Sequence, residues 1–120
     1  MNLFIRFYIG LTVDPRTTGW ACDNTPQGIQ DRKHSALKIL SEHYDGFTQY
    51  DARGYWKGLW EPSLVVETIQ DDDGPGWSVD DSTSVRKARE VASALARILN
   101  QACVGLAFAP VSFELVEPAQ

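Results

Sequence analysis

The chain has 120 residues, 43% of them hydrophobic, which suits a single domain (1–120) built around one core. Sixteen acidic against eleven basic residues leave a net charge of −5, which argues against extended nucleic acid as a partner, since such binding draws most of its affinity from clustered Lys and Arg. No apolar run reaches the roughly 20 residues that span a bilayer.

The opening, MNLFIRFYIGLTV, is apolar but carries Arg6 in its middle and lacks both a basic start and a small-residue cleavage site, so it reads as a strand and not as an export signal. Leu3 to Ile9 alternates and is rich in branched and aromatic residues, with Gly10 at its end. Both of its faces are apolar, which places it centrally in a sheet. Residues 11–25 hold turn formers without a sustained period and read as a long loop.

Thr25 is a helix cap, followed by Pro26 at a position where the missing N–H loses nothing. Ile29, Lys33, Ala36, Leu37, Leu40 and Tyr44 then recur at helical spacing until Asp45-Gly46 stops the run. Phe47 to Ala52 and Ser63 to Ile69 read as two strands. The segment between them, within YDARGYWKGLWEP (Tyr50–Pro62), reads as a hairpin with a wide or bulged tip, Gly54 and Gly58 supplying positive φ. Residues 70–84 form a polar, acidic loop around Gly-Pro-Gly.

A second helix starts at a cap supplied by Ser82, Thr83 or Ser84. Its buried stripe runs through Val85, Ala88, Val91 or Ala92, Leu95, Ile98 or Leu99, and Ala102. Val104, Leu106 and Phe108 make a strand that breaks near Pro110, and Val111, Phe113 and Leu115 continue on alternate positions as an added strand would. The order β-α-β-β-α-β predicts an α+β, ferredoxin-like sandwich: two helices on one face of an antiparallel sheet, with an optional extra C-terminal strand. The first and third strands would be central. The open face, carrying Phe4, Phe7 or Tyr8, Val65 and Phe108, calls for cover from a terminal strand or a second subunit, and a two-fold homodimer is the expectation.

The hairpin carries the strongest binding signal. Tyr50, Tyr55, Trp56 and Trp60 offer flat π faces beside the cations Arg53 and Lys57, a mixture that stacks on a nucleobase and contacts an anion. The competing explanation is that the rings pack under the helices or in a subunit seam. Trp20 and Trp77 sit in the two long loops, where each either lids a pocket or anchors its loop.

Other chemistry is weakly signalled. Asp71, Asp72, Asp73, Asp80 and Asp81 fail the spacing of a calcium loop and read as a solvated acidic segment before a helix N-terminus. His34 and His43 are nine apart on a helix and point in nearly opposite directions, so no metal site is expected. Cys22 and Cys103 read as free thiols, and no catalytic set or cofactor motif is recognised. Asp51, Arg53 and Glu61 suit either acid–base work on a ligand or surface ion pairing.

The segments YIG (8–10), GFTQYDARGYWKGLWEPSLVVET (46–68) and LNQACVG (99–105) resemble a family of small uncharacterised proteins encoded by phages and prophages. The resemblance implies a compact α+β domain in the bacterial host cytoplasm and no assigned reaction. In that setting a small binding protein is expected, one that sequesters a nucleotide-like ligand such as a defence signal without turnover. A host-protein inhibitor and a small dimeric enzyme are the alternatives.

Overall fold

The first strand sets the architecture. In a computed structural model describing residues 2–13, 24–56, 58–72 and 81–119, the side chain of Trp56 excepted, Leu3, Ile5, Phe7 and Ile9 are fully buried. The residues between them, Phe4, Arg6 and Tyr8, face the other way, as the two-residue period of an extended chain requires. Each buried side chain of this size contributes about 1.5–3 kcal/mol, so the phase of this one strand is strongly determined.

The elements are β1 (Asn2–Gly10), α1 (Pro26–His43), β2 (Thr48–Trp56), β3 (Leu59–Asp71), α2 (Thr83–Ile98) and β4 (Gly105–Val111). The sheet order is β2-β3-β1-β4 with every neighbouring pair antiparallel. This is the expected α+β, ferredoxin-like arrangement, and β1 and β3 are its central strands. Both helices cover the face of Leu3, Ile5, Phe7 and Ile9: Ala36 and Leu40 come from α1, and Val85, Ala88, Val91 and Leu95 from α2.

Local chemistry explains the helix ends. The Thr25 hydroxyl accepts from the Gly28 N–H at 3.2 Å with Pro26 in the first turn, and the Ser82 hydroxyl accepts from the Val85 N–H at 3.1 Å. α2 stops before the expected Ala102 because Asn100 adopts φ 53°. Its N–H bonds Arg97 O and the Gln101 N–H bonds Ala96 O, the two closing bonds of a left-handed cap that asparagine tolerates. Leu99, and not Ile98, is therefore the buried member of that pair.

Three further expectations are corrected. The hairpin tip is narrow: Trp56 pairs with Leu59, Gly58 alone among the described hairpin residues takes positive φ (85°), and Gly54 stays in register opposite Glu61 without a bulge. β4 continues through Pro110 to Val111, because it is an edge strand and a missing donor on its outer side breaks no ladder. Residues 112–119 form no further strand; Leu115 is 86% exposed, and Asn2 Nδ2 donating to Phe113 O at 3.4 Å is the contact that holds the segment's start.

The open face is partly closed by its own chain. Phe7 and Phe108 lie on the helix side, paired with Val66 and with Ile5, whereas Tyr8 and Val65 lie on the open side. The Arg6 guanidinium donates twice to Glu67 Oε2, at 2.7 and 3.1 Å, and once to the Tyr8 hydroxyl at 3.1 Å. It thereby lies 5.1 Å from the Phe4 ring centre and 5.8 Å from that of Tyr8, covering both rings.

Tyr44 caps the core beside Phe7, their ring centres 5.9 Å apart, and its hydroxyl is buried without a hydrogen-bond partner among the described residues. Burial pushes the phenol up to about 12 from an ordinary 10.0. The unfolded chain thus ionises first as pH rises through 10, and the stability held below that pH is lost as pH climbs towards 12. Tyr44→Phe removes an unsatisfied hydroxyl, so it should be neutral or stabilising by up to about 1 kcal/mol at pH 7. Its melting-temperature advantage over the wild type should widen between pH 9 and 11, measured by circular dichroism at about one-unit steps.

Candidate functional site

β3 is longer than the strand it pairs with on its other side. β1 ends at Gly10 opposite Ser63, while β2 and β3 continue together to Trp56 and Leu59. The last residues of both form a two-stranded ribbon that projects past the sheet. Strand alternation then sorts the ribbon into two faces.

One face continues the open face of the sheet. Gly10, Ala52, Gly54, Ser63 and Gly105 all fall on it by register, and together they pave a floor almost without side chains. This floor lies in a cleft of about 420 Å³, within the usual range for small-ligand sites. Tyr8 and Val65 form one wall, and Gln101 to Cys103, the turn after α2, form another. Cys103 is a free, exposed thiol, while Cys22 lies outside the described residues.

The glycines are there for close approach. A methyl group on Gly10 would stand 2.5 Å from Glu61 Oε1, one on Gly54 2.8 Å from Ser63 Oγ, and one on Gly105 3.2 Å from Tyr8 Cβ. The Tyr8 side chain therefore lies over Gly105, and the Glu61 carboxylate lies over Gly10. Glu61 is the one carboxylate among the described residues lining the cleft.

The mouth of the cleft is braced by the chain leaving β1. The Leu11 N–H donates to Pro62 O at 3.0 Å, so the β1–β3 ladder runs on past Gly10. The Thr12 hydroxyl donates to Glu61 Oε2 at 2.5 Å, and Gln101 Nε2 donates to Thr12 O. Val13 exchanges two 2.8 Å bonds with the Asn24 side chain, and Arg32 Nε reaches Leu11 O at 2.5 Å. Residues 11–13 of the expected loop are thus tied to both helices and to β3, and Leu11 and Val13 are buried.

The other face of the ribbon carries the aromatic cluster. Tyr55 and Trp60 pair directly and meet edge to face, their ring centres 4.9 Å apart, and the Arg53 guanidinium lies 5.3 Å over the Trp60 ring. Tyr55 is 60% and Trp60 63% exposed, so these two rings are not packed beneath the helices. Arg53 and Tyr55 also border the cleft, whereas Trp60 is not among its lining residues. Lys57, Trp20, Trp77 and the Trp56 side chain lie outside the described residues. Asp51 accepts from Lys33 Nζ of α1 at 2.8 Å, on the helix side and away from the cleft.

Sequence reading drew attention to the rings and passed over the floor. Tyr8, Gly10, Gln101 and Gly105 stand in segments that carried the family resemblance, but nothing in the sequence marked them or Thr12 as one site. The signal available was the small residues Ala52 and Gly54 at two-residue spacing, with Ser63 on the returning strand.

No protein-family model matches the chain, and no curated protein matches it. Solved structures do. A phage SAM lyase in its apo state is similar with a TM-score of 0.58 at 20% identity, over 89% of this chain and 78% of that one. The phage SAM lyase in complex with S-methyl-5′-thioadenosine is similar with a TM-score of 0.58 at 20% identity, over 90% and 80%. A DUF3240-family protein from Shewanella baltica is similar with a TM-score of 0.55 at 10% identity, over 98% and 97%. At such identities, these likenesses establish the fold.

Gly10→Ala tests how the floor is built. The atoms it meets are the end of a flexible side chain, so the protein should fold, its melting temperature moving by less than about 8 °C, equivalent to roughly 1 kcal/mol. A crystal structure of the variant should show the Glu61 carboxylate swung off the floor. Unchanged Glu61 coordinates would refute the close approach described above.

Proposed function

We propose that the cleft binds an adenosine-type ligand bearing sulfur, S-adenosylmethionine (SAM) or the thioether S-methyl-5′-thioadenosine, and that the protein cleaves the former. The observation that carries this reading is a cleft lined by Gly10, Gly54 and Gly105 in which a single carboxylate, Glu61, lies against Gly10. A cleft of this volume lined largely by small residues and the Tyr8 ring accommodates a flat ring system, and a carboxylate suits a cation or hydroxyl groups. It repels phosphate, which favours a nucleoside over the phosphorylated ligands first suggested by Arg53 and Lys57. The shared fold of a phage SAM lyase, one form of which holds the thioether, supports the choice of ligand.

The chemistry is consistent with the surroundings. When the bond between the sulfonium sulfur and the amino-acid chain breaks, its electron pair goes to sulfur, which becomes a neutral thioether. As that bond breaks, an internal nucleophile of the departing chain, such as its own carboxylate, bonds the same carbon from the opposite side in one displacement, and no water is consumed. Opposite charges are neutralised in that step, so apolar groups at the cleft such as Val65 and the Tyr8 ring, by displacing water from the bound ligand, lower the barrier relative to bulk solvent. Glu61 would serve binding of the cation more than the bond-breaking step, because the charge it faces disappears. In this reading a phage protein acts in the bacterial host cytoplasm, and two copies pair through the open face, placing the cleft near the seam.

Incubation of the purified protein with SAM should release many equivalents of the thioether per chain, read by mass spectrometry. Stoichiometric capture without product would return the reading to sequestration. Failure of both SAM and the thioether to bind in calorimetry would end it. Glu61→Gln should weaken SAM binding by about tenfold or more, equivalent to about 1.4 kcal/mol.

A second reading, inhibition of a host protein, is favoured by one observation: the exposed Tyr55–Trp60–Arg53 stack has the composition of an interface hot spot and faces away from the floor. Under that reading Trp60→Ala abolishes a host complex and leaves SAM binding intact.

A further inference from the structure

We infer that Thr12 and Gln101 are positioning residues for Glu61, and that with the bare Gly10 they set the cleft's preference for a cationic sulfonium over a neutral thioether. The inference deepens the ligand reading given above and rests on it for the identity of the cation.

The geometry is a three-part clamp. Glu61 could take many rotamers at the root of a projecting ribbon, yet its carboxylate lies where a Gly10 methyl would be, 2.5 Å from Oε1 and 2.9 Å from Oε2. Thr12 holds Oε2 at 2.5 Å. Oε1 accepts no hydrogen bond among the described residues, so one oxygen is held by Thr12 and the other keeps its acceptor capacity for a ligand. Thr12 is itself held through its carbonyl by Gln101 Nε2. Gln101 is aimed by the left-handed turn at Asn100, whose closing bond from the Gln101 N–H to Ala96 O measures 2.8 Å.

Each link has a different origin in the chain: the exit of β1, the start of β3 and the end of α2. The clamp therefore forms only when all three elements have docked. A carboxylate held this way points its negative charge without first paying the entropy of ordering a free side chain. Cleavage turns the cation into a neutral thioether, so the same preference would also ease product release.

Two readouts test this, one independent of any ligand. The first is the carboxyl-carbon NMR resonance of Glu61 in glutamate-labelled protein, assigned by its loss in Glu61→Gln. It should move towards that of a free glutamate in Thr12→Val and in Gln101→Leu, and return in Thr12→Ser, which keeps the hydroxyl. The second is calorimetry with SAM and with S-methyl-5′-thioadenosine. The wild type should prefer SAM, and Thr12→Val should lose that preference by about tenfold with little change in thioether affinity, Thr12→Ser restoring it.

A Glu61 resonance identical in the wild type and Thr12→Val overturns the positioning role. So does equal loss of affinity for both ligands. If neither ligand binds the wild type, the ligand reading and the charge preference fail together, while the resonance still decides whether Thr12 positions Glu61.

Discussion

The alternation of β1 is the constraint on which the molecule turns. With Leu3, Ile5, Phe7 and Ile9 committed to the helices, a slip of one residue would expose all four and bury Arg6. Every pairing in the sheet inherits that phase: Val66 falls opposite Phe7, Phe108 opposite Ile5, and Gly105 opposite Tyr8. The floor of the cleft is thus a consequence of the core. Residues that have nothing to do with the hydrophobic interior are aligned because their neighbours are.

The cleft and the core then impose opposite demands on adjacent residues. A core strand gains from bulk, whereas on the open side near the ribbon Gly10, Gly54 and Gly105 make room for the side chains of Glu61, Ser63 and Tyr8, each glycine giving up side-chain packing and some strand stability. The lost rigidity is replaced by hydrogen bonds from outside the sheet. The Thr12, Gln101, Asn24 and Arg32 contacts tie the exit of β1 to both helices, so the mouth is held by polar links where a side-chain layer is missing. Farther down the same face, Arg6 does the covering, lying over two rings while Glu67 satisfies its charge.

The ribbon separates two kinds of surface with opposite electrostatics. Glu61 faces the floor, and Arg53 lies over Trp60 on the reverse side. A strand two residues across keeps them apart without any intervening element. Arg53 and Tyr55 also border the cleft, so Trp60 is the member of the stack whose substitution separates the two surfaces.

How much of this was legible in the sequence depends on the range of the interaction. The strand and helix segments, the cap at Thr25, a second cap within Ser82–Ser84, the central places of β1 and β3 and the α+β class all follow from periodicity and nearby polar groups, which act within a few residues. The hairpin's rings were visible as composition, but the face on which each stands depends on Gly54 keeping its register, and a glycine in isolation favours a turn as readily as a strand. The unbroken passage through Pro110 required knowing that β4 lies at an edge. The clamp around Glu61 joins Thr12, Glu61 and Gln101, residues 49 and 89 positions from one another along the chain at its two hydrogen bonds. Contacts of that separation have no local signature. They exist only once β1, β3 and α2 have packed, which is why the elements could be read from residue order while the cleft was decided by tertiary structure.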